Sequence, residues 1–226
     1  TRGSTMKIFI PIKQNSQRVP RKNFRLLNGE QLFKYVMLKY NDFEIFVDTD
    51  SDEVIHEVNN DQRLHHVTAY RRRRDQVGDK ISVCGLLHNF LEKFKIQEPV
   101  IQTHVTSPFL TPQMLKDAYS YIGEYDSVVS CNKYNSRFWR KEEYGYCPLN
   151  HNPLRLEQTQ DLPALYEENS AFYVFSPSVI LNSGNRIGKN PYFYPLSVPY
   201  NIDIDTEEDW NQVKKIMEKS GKTYTK

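Results

Sequence analysis

Glycine is absent where it would be most telling. None occurs between Lys13 and Asn28, so the first strand-to-helix connection is neither a Walker loop nor a GxGxxG dinucleotide loop, both of which need glycine to bring phosphate against bare backbone. Cysteine is scarce as well. Cys84, Cys131 and Cys147 are odd in number and lack CxxC spacing, which excludes a disulfide framework and reads as reduced thiols in a cytoplasmic protein. The histidines form no HxH or HxxxH pair, so a zinc site is not expected. No apolar run approaches the roughly 20 residues that cross a bilayer, and no signal-peptide core is visible. Excess charge is missing too: 30 basic against 28 acidic side chains leave +2. That balance speaks against bulk nucleic-acid binding; neither nucleic acid nor membrane is an expected partner.

What is present concentrates near the start. A short apolar run, Ile8, Phe9 and Ile10, gives way to a polar loop holding Lys13, Arg18, Arg21 and Lys22. A helical face of Leu32, Tyr35, Val36 and Lys39 follows. Four cations where a strand ends point to an anionic ligand, most simply a polyphosphate. Without glycine, side chains must meet most of that charge.

A chain of 226 residues suits a single domain over 6–226 and buries about 70–75% of its unfolded surface without needing disulfides or metal. The leading Thr-Arg-Gly-Ser-Thr before Met6 reads as a cloning remnant. Strands are expected at 44–47, 64–70, 100–103, 127–130, 171–175 and 201–205. Helices are expected over 52–60 after Ser51, 81–94, 112–122 from Thr111-Pro112, and 207–219. This alternation predicts an α/β fold with a mostly parallel sheet and helices on both faces. In such sheets ligands sit beyond the carboxyl ends of the strands. The basic loop, Asp48-Thr49-Asp50, the run from Arg71 to Arg74 and Thr106-Ser107-Pro108 all fall there. Residues 134–168, rich in Tyr, Asn, Pro and charge, break the rhythm and read as an arm or lid.

Asp203-Ile204-Asp205 is the second strong signal. On a strand, alternation puts both carboxylates on one face and Ile204 in the core. Such a pair suits Mg²⁺, which is typically held by one or two carboxylates plus substrate phosphates. Asp205 also stands where it could cap the next helix. Cations and a metal on one edge suggest phosphoryl or nucleotidyl transfer, in which the protein supplies positioning and charge. Ser16 has no nearby histidine to act as its base, so it reads as a hydrogen-bond donor to phosphate or sugar. His65-His66 read as structural, and Arg71–Arg74 as a nucleotide contact through Arg72.

The residues resemble the acylneuraminate cytidylyltransferase (CMP-sialic acid synthetase) family, relatives of the CMP-Kdo synthetases. The likeness rests on an ordered series: Gln14-Asn15-Ser16, Pro20-Arg21-Lys22-Asn23, Asn28-Gly29, Asp48-Thr49-Asp50, Gly78-Asp79 with Ser82, and Thr106-Ser107-Pro108. It continues through Ser127-Val128-Val129-Ser130, Leu162-Pro163, Asn169 with Ala171-Phe172-Tyr173, and Ile202 to Glu207. This resemblance implies a Rossmann-like nucleotidyltransferase sheet with an inserted dimerisation arm, and a homodimer whose arms complete each other's sugar sites. It implies Mg²⁺-dependent transfer from CTP to a 2-keto-3-deoxy sugar acid, releasing pyrophosphate. By position, Lys13, Asn15, Ser16, Arg18, Arg21, Lys22, Asn23, Arg72 and Ser82 would hold the nucleotide. Lys22, Asp203 and Asp205 would be catalytic, the two aspartates as metal ligands. His104, Arg140, Gln160 and Asn169 would face the sugar. The chain departs from the pattern at His104, where a glutamine is usual, and at Thr159 and Glu167, where arginines are usual. A glutamate there could repel a sugar carboxylate, leaving open a non-acidic acceptor or a relative that binds nucleotide without catalysis.

Overall fold

The computed structural model describes residues 5–15, 18–78 and 80–220. In chain order, β1 (Lys7–Ile12) leads through a 3-10 turn (Lys22–Phe24) to β2 (Leu26–Leu27), β3 (Glu30–Gln31) and α1 (Leu32–Lys39). Then come β4 (Glu44–Thr49), α2 (Asp52–Asn60), β5 (Val67–Arg71), α3 (Val83–Phe94), β6 (Val100–Thr103) and α4 (Pro112–Ser120). The second half holds β7 (Ser127–Tyr134), β8 (Trp139–Glu142), β9 (Gly145–Pro148), β10 (Leu165–Phe175), α5 (Pro177–Ser183), β11 (Pro191–Pro195) and α6 (Glu207–Lys219). Among the described residues no helix is long and apolar enough to cross a membrane.

Seven strands form the main sheet in the order β11-β7-β10-β6-β1-β4-β5. Every pairing is parallel except those of β10, which runs against β6 and β7. Alternation divides the core between two faces. Ile8, Ile10, Ile45, Val47, Ile101 and Val174 face α1, α2, α4 and α6. Phe9, Phe46, Val100, Val129, Tyr173 and Phe175 face α3 and α5. Each such large apolar side chain contributes about 1.5–3 kcal/mol when fully buried. This is the expected mostly parallel sheet, covered on both sides.

Local signals explain most element ends. Ser51 caps α2 by accepting from the Val54 amide at 3.3 Å, and Thr111 caps α4 by accepting from Met114 at 3.2 Å. Asn28 and Gly29 both take positive φ, 51° and 83°, as the two-residue turn between β2 and β3 requires.

Four expectations need correction. Residues 201–205 are not a strand: they follow a turn and reach the sheet edge through Ile204 N donating to Thr106 O at 2.8 Å. Residues 64–66 do not belong to β5, because Asp61 caps a 3-10 turn that buries Leu64 first. Helix α3 starts at Val83, since Ser82 is its cap and accepts from the Cys84 amide at 3.2 Å. The strand from Ser127 runs on to Tyr134, and β10 starts at Leu165, so their outer halves form the root of the arm. Beyond that root β8 and β9 make a hairpin. Asn150 holds its base, donating to the carbonyls of Ser136 and Pro163 at 2.7 and 3.0 Å.

Candidate functional site

The carboxyl ends of β1, β4, β5 and β6 share one edge of the sheet, and the loops after them build the site. Loop 13–21 is laced to its neighbours. The Gln14 amide donates to Asp50 Oδ1 at 2.8 Å, and Asn23, buried, donates to the Lys13 carbonyl at 3.1 Å. Arg21, at φ 52°, turns away to Glu53 on α2 at 2.9 Å and covers the Phe24 ring. On the other side, Lys39 of α1 donates to the carbonyls of Pro108 and Leu110 between the rings of Tyr35 and Tyr40. This fixes the loop after β6. Burial there pushes the Lys39 ammonium down to about 7.

Between these loops lies a cavity of about 320 Å³ lined by Lys13, Asn15, Arg18, Lys22, Asn23, His104, Thr106 and Asp205, together with Pro11, Ile12 and Val105. Arg18 is exposed and pairs with Asp205 at 3.1 Å. Lys22 is only 12% exposed, donates to the Ile204 carbonyl at 2.6 Å and stands 3.8 Å from Asp205. Its pKa is lowered, burial outweighing the attraction of Asp205 and Asp203. Asp205 is itself positioned by α6. Thr206 and Asp209 form a capping box, and Asp209 Oδ2 also accepts the Asp205 amide at 3.0 Å. Arg25 clamps Glu207 with two bonds of 2.7 and 2.5 Å across the Trp210 ring, fastening α6 to the basic loop.

Asp203 stands behind this lining. Its Oδ1 is buried without a partner among the described residues. Burial, with Asp205 adding, raises its pKa against the pull of the Thr106 hydroxyl and Lys22. A buried carboxylate oxygen lacking a donor is a polar atom awaiting a cation or proton. No cluster of three or more His, Cys, Asp or Glu able to hold a metal occurs among the described residues. An ion that takes two carboxylates plus phosphate oxygens needs no such cluster. The donor set, two hard carboxylates beside a phosphate-sized cationic cavity, fits Mg²⁺.

The other anticipated residues that the structure describes lie outside the cavity lining. Arg72 is buried and donates to Asp48 through Nε, and through Nη2 to the carbonyls of Asp48 at 3.0 Å and Ile12 at 3.5 Å. It thus braces the ends of β1 and β4. Ser82 is occupied as the cap of α3. Arg140 on β8 is exposed and bonds Glu142 at 3.2 Å, and Gln160 bonds Gln158 at 2.8 Å in the arm. Asn169 accepts from Ser130 at 2.6 Å and donates to Asn132 at 3.1 Å. Asn201 also donates to Asn132, at 3.0 Å, which joins this amide network to the segment carrying Asp203. Ser16 and Asp79 lie outside the described residues. Three contributors were not anticipated: the Ile204 carbonyl under Lys22, and Gln102 and Arg186 behind His104. The first carried a signal, since an Asp-x-Asp segment must turn its central carbonyl somewhere. The other two did not.

The family model described as cytidylyltransferase matches residues 8–220. The chain belongs to the cytidylyltransferase family. N-acylneuraminate cytidylyltransferase of Streptococcus agalactiae serotype V is 24% identical over 216 residues, covering 91% of this chain and 51% of that protein. The chain therefore spans about half the length of the first curated relatives it matches. CMP-N,N'-diacetyllegionaminic acid synthase of Legionella pneumophila is 28% identical over 231 residues, 92% of this chain and 94% of that protein. Among solved structures, CMP:2-keto-3-deoxy-manno-octonic acid synthetase complexed with CTP superposes with a TM-score of 0.67 at 15% identity, over 96% of this chain and 100% of that one. That likeness shows the Rossmann-like nucleotidyltransferase fold.

Proposed function

We propose that this cytidylyltransferase-family chain catalyses Mg²⁺-dependent transfer of CMP from CTP to a 2-keto-3-deoxy sugar acid, sialic-acid-like or Kdo-like, with release of pyrophosphate. The observation that carries the reading is the cavity, where Lys13, Arg18 and Lys22 converge on a space edged by Asp205. The relatives point the same way: two are named for acylneuraminate or legionaminic acids, and the structural neighbour is complexed with CTP.

In this reading Lys13, Arg18 and Lys22 meet the triphosphate charge, and Asn15 and Asn23 orient it. Arg18 exchanges its exposed partner Asp205 for phosphate as nucleotide enters, which frees that carboxylate. Asp203 and Asp205 would hold Mg²⁺, which when bound neutralises phosphate oxygens and helps pyrophosphate depart. The acceptor's anomeric hydroxyl attacks the α-phosphorus in line. A P–O bond to the sugar forms as the bond to the β-phosphate oxygen breaks, and the hydroxyl proton passes to solvent. Lys22, held by the Ile204 carbonyl, faces the charge that grows on the leaving pyrophosphate.

The arm supports assembly into a homodimer, since it exposes Trp139, Tyr144, Tyr146, Leu154 and Leu156. Arg140, Gln160 and Asn169 are then sugar contacts in a site shared between copies. One observation favours a second acceptor class. Glu167 accepts from Tyr134 at 2.6 Å and from Asn132 at 3.1 Å, and these donors hold its carboxyl below the usual range. A fixed anion at the arm root suits a neutral or amino sugar better than an acid.

The test is pyrophosphate release from CTP and Mg²⁺ with a panel of sialic, legionaminic and Kdo-type acids alongside neutral and amino sugars. Turnover of an acid supports the first reading, and preferential turnover of a non-acidic sugar the second. Nucleotide binding with no turnover across the panel refutes both.

A further inference from the structure

Behind the cavity, three side chains form a line whose hydrogen-bond directions are fixed by chemistry alone. Gln102, fully buried on β6, lies opposite Tyr173 of β10. Arg186, in the loop after α5, lies over the Tyr173 ring at 3.7 Å and donates to Gln102 Oε1 at 2.5 Å. Gln102 Nε2 in turn lies 3.0 Å from His104 Nε2 and 3.4 Å from the Thr103 carbonyl. His104 lines the cavity.

A guanidinium has donors and no acceptor. Its bond to Gln102 therefore decides which end of the amide is oxygen, and the NH₂ must face the imidazole. His104 Nε2 can then only accept. A neutral ring carries one proton, so that proton sits on Nδ1. Protonating Nε2 as well would set N–H against N–H in a buried place.

We propose that Arg186 and Gln102 are positioning residues that hold His104 as the neutral Nδ1–H tautomer, so that the ring offers the bound acceptor a hydrogen-bond donor and not a base. The ligand group it meets is an oxygen with a lone pair, a hydroxyl or a carboxylate. Naming that ligand the acceptor rests on the function proposed above; the tautomer does not. Burial, with Arg186 and Lys22 nearby, keeps the ring uncharged by lowering its pKa to about 4. It follows that His104 does not take the proton of the attacking hydroxyl, because its lone pair is already used.

The experiment uses the full chain labelled with ¹⁵N-histidine and two-bond ¹H–¹⁵N correlation spectra near neutral pH. His104→Gln identifies the signals of His104 among those of the six histidines. The expected result is a protonated Nδ1 and an unprotonated Nε2. Gln102→Glu keeps the bond to Arg186 but replaces the donor facing the ring with an acceptor, so the proton should move to Nε2. In the pyrophosphate assay, Arg186→Met should raise KM for the acceptor about tenfold, the worth of one hydrogen bond, with KM for CTP unchanged. Arg186→Lys, which keeps a donor, should restore both tautomer and KM. A proton on Nε2 in the wild type, or an Nε2 that stays unprotonated in Gln102→Glu, overturns the proposal. Should Arg186→Met not fold, the wild type and Gln102→Glu decide without it. Absence of turnover with every acceptor would count against the proposed function while leaving the spectra fully interpretable.

Discussion

Replacing Lys22 by methionine removes an ammonium group that both faces the cavity and ties down its acidic edge. Two magnitudes follow. The bond from Nζ to the Ile204 carbonyl, 2.6 Å long, is charge-assisted and partly buried, and such a bond contributes about 1.5–3 kcal/mol net. The opposing effect is relief of desolvation, because burial already lowers the Lys22 pKa. The expected loss of stability is therefore about 1–2 kcal/mol by urea denaturation, a small part of the 5–15 kcal/mol typical of a domain. Nearly every molecule stays folded. Catalysis should suffer more. A cation about 4 Å from a phosphate charge interacts by about 4 kcal/mol at an effective dielectric constant near 20. Losing one such stabilising group in other enzymes costs about 2.7–4 kcal/mol. Pyrophosphate release should thus fall 10²–10³-fold in kcat/KM, roughly the equivalent of that energy. Lys22→Arg keeps the charge and should recover part of the loss. A Lys22→Met protein that is folded and within about threefold of wild type would refute the reasoning that Lys22 acts on transferred charge.

Asp203→Asn should abolish turnover while raising the melting temperature. The raised pKa means that the ionised group is less at ease folded than unfolded, so at neutral pH the charge costs stability that the neutral isostere returns. A lowered melting temperature with normal turnover would remove Asp203 from the site. For Lys39, the folded pKa of about 7 lies below the ordinary lysine value of 10.5. The unfolded chain therefore binds more protons between those values, and stability should rise with pH across that window. The full effect is about 5 kcal/mol, and Lys39→Met should flatten the slope in denaturation curves recorded at several pH values. Gly188 leaves no room for a side chain, since a Cβ would collide with the Asp126 carboxylate, which accepts from the amides of Lys189 and Asn190 at 2.7 and 3.0 Å. Gly188→Ala should cost about 1–3 kcal/mol. Adding Asp126→Ala should recover part of that in a double-mutant cycle.

The parts of this fold that could be read in advance are those written in local spacing. Ser51, Thr111 and Pro112 announce helix starts, and the loop after the first strand brings Lys13, Arg18 and Lys22 to one cavity, where the rule that ligands gather at strand carboxyl ends puts them. The Asp203–Asp205 segment looked like a strand because its alternation is strand-like. Ile204 is indeed buried, yet this edge of the sheet belongs to other strands. Strand β11 passed unnoticed because Pro191 and Pro195 bracket it, and proline weakens a strand signal except at a sheet edge, where β11 lies. Helix α5 was signalled by Pro177 and Gly184 but is only two turns long. Arg72 was legible as a cation but not as the partner of Asp48. The line from Arg186 to His104 could not be read at all, because it depends on β10 pairing antiparallel with β6 across 70 residues of chain.

The root of the arm has a mechanical meaning. β7 and β10 stay paired from Ser127 opposite Phe175 to Tyr134 opposite Leu165, with one irregularity between Glu168 and Tyr173. The arm is thus a cantilever built into the sheet, with its compliance gathered at that bulge. A load applied to its tip would be felt there first, at the residues next to Tyr173, on whose ring the Arg186 guanidinium rests.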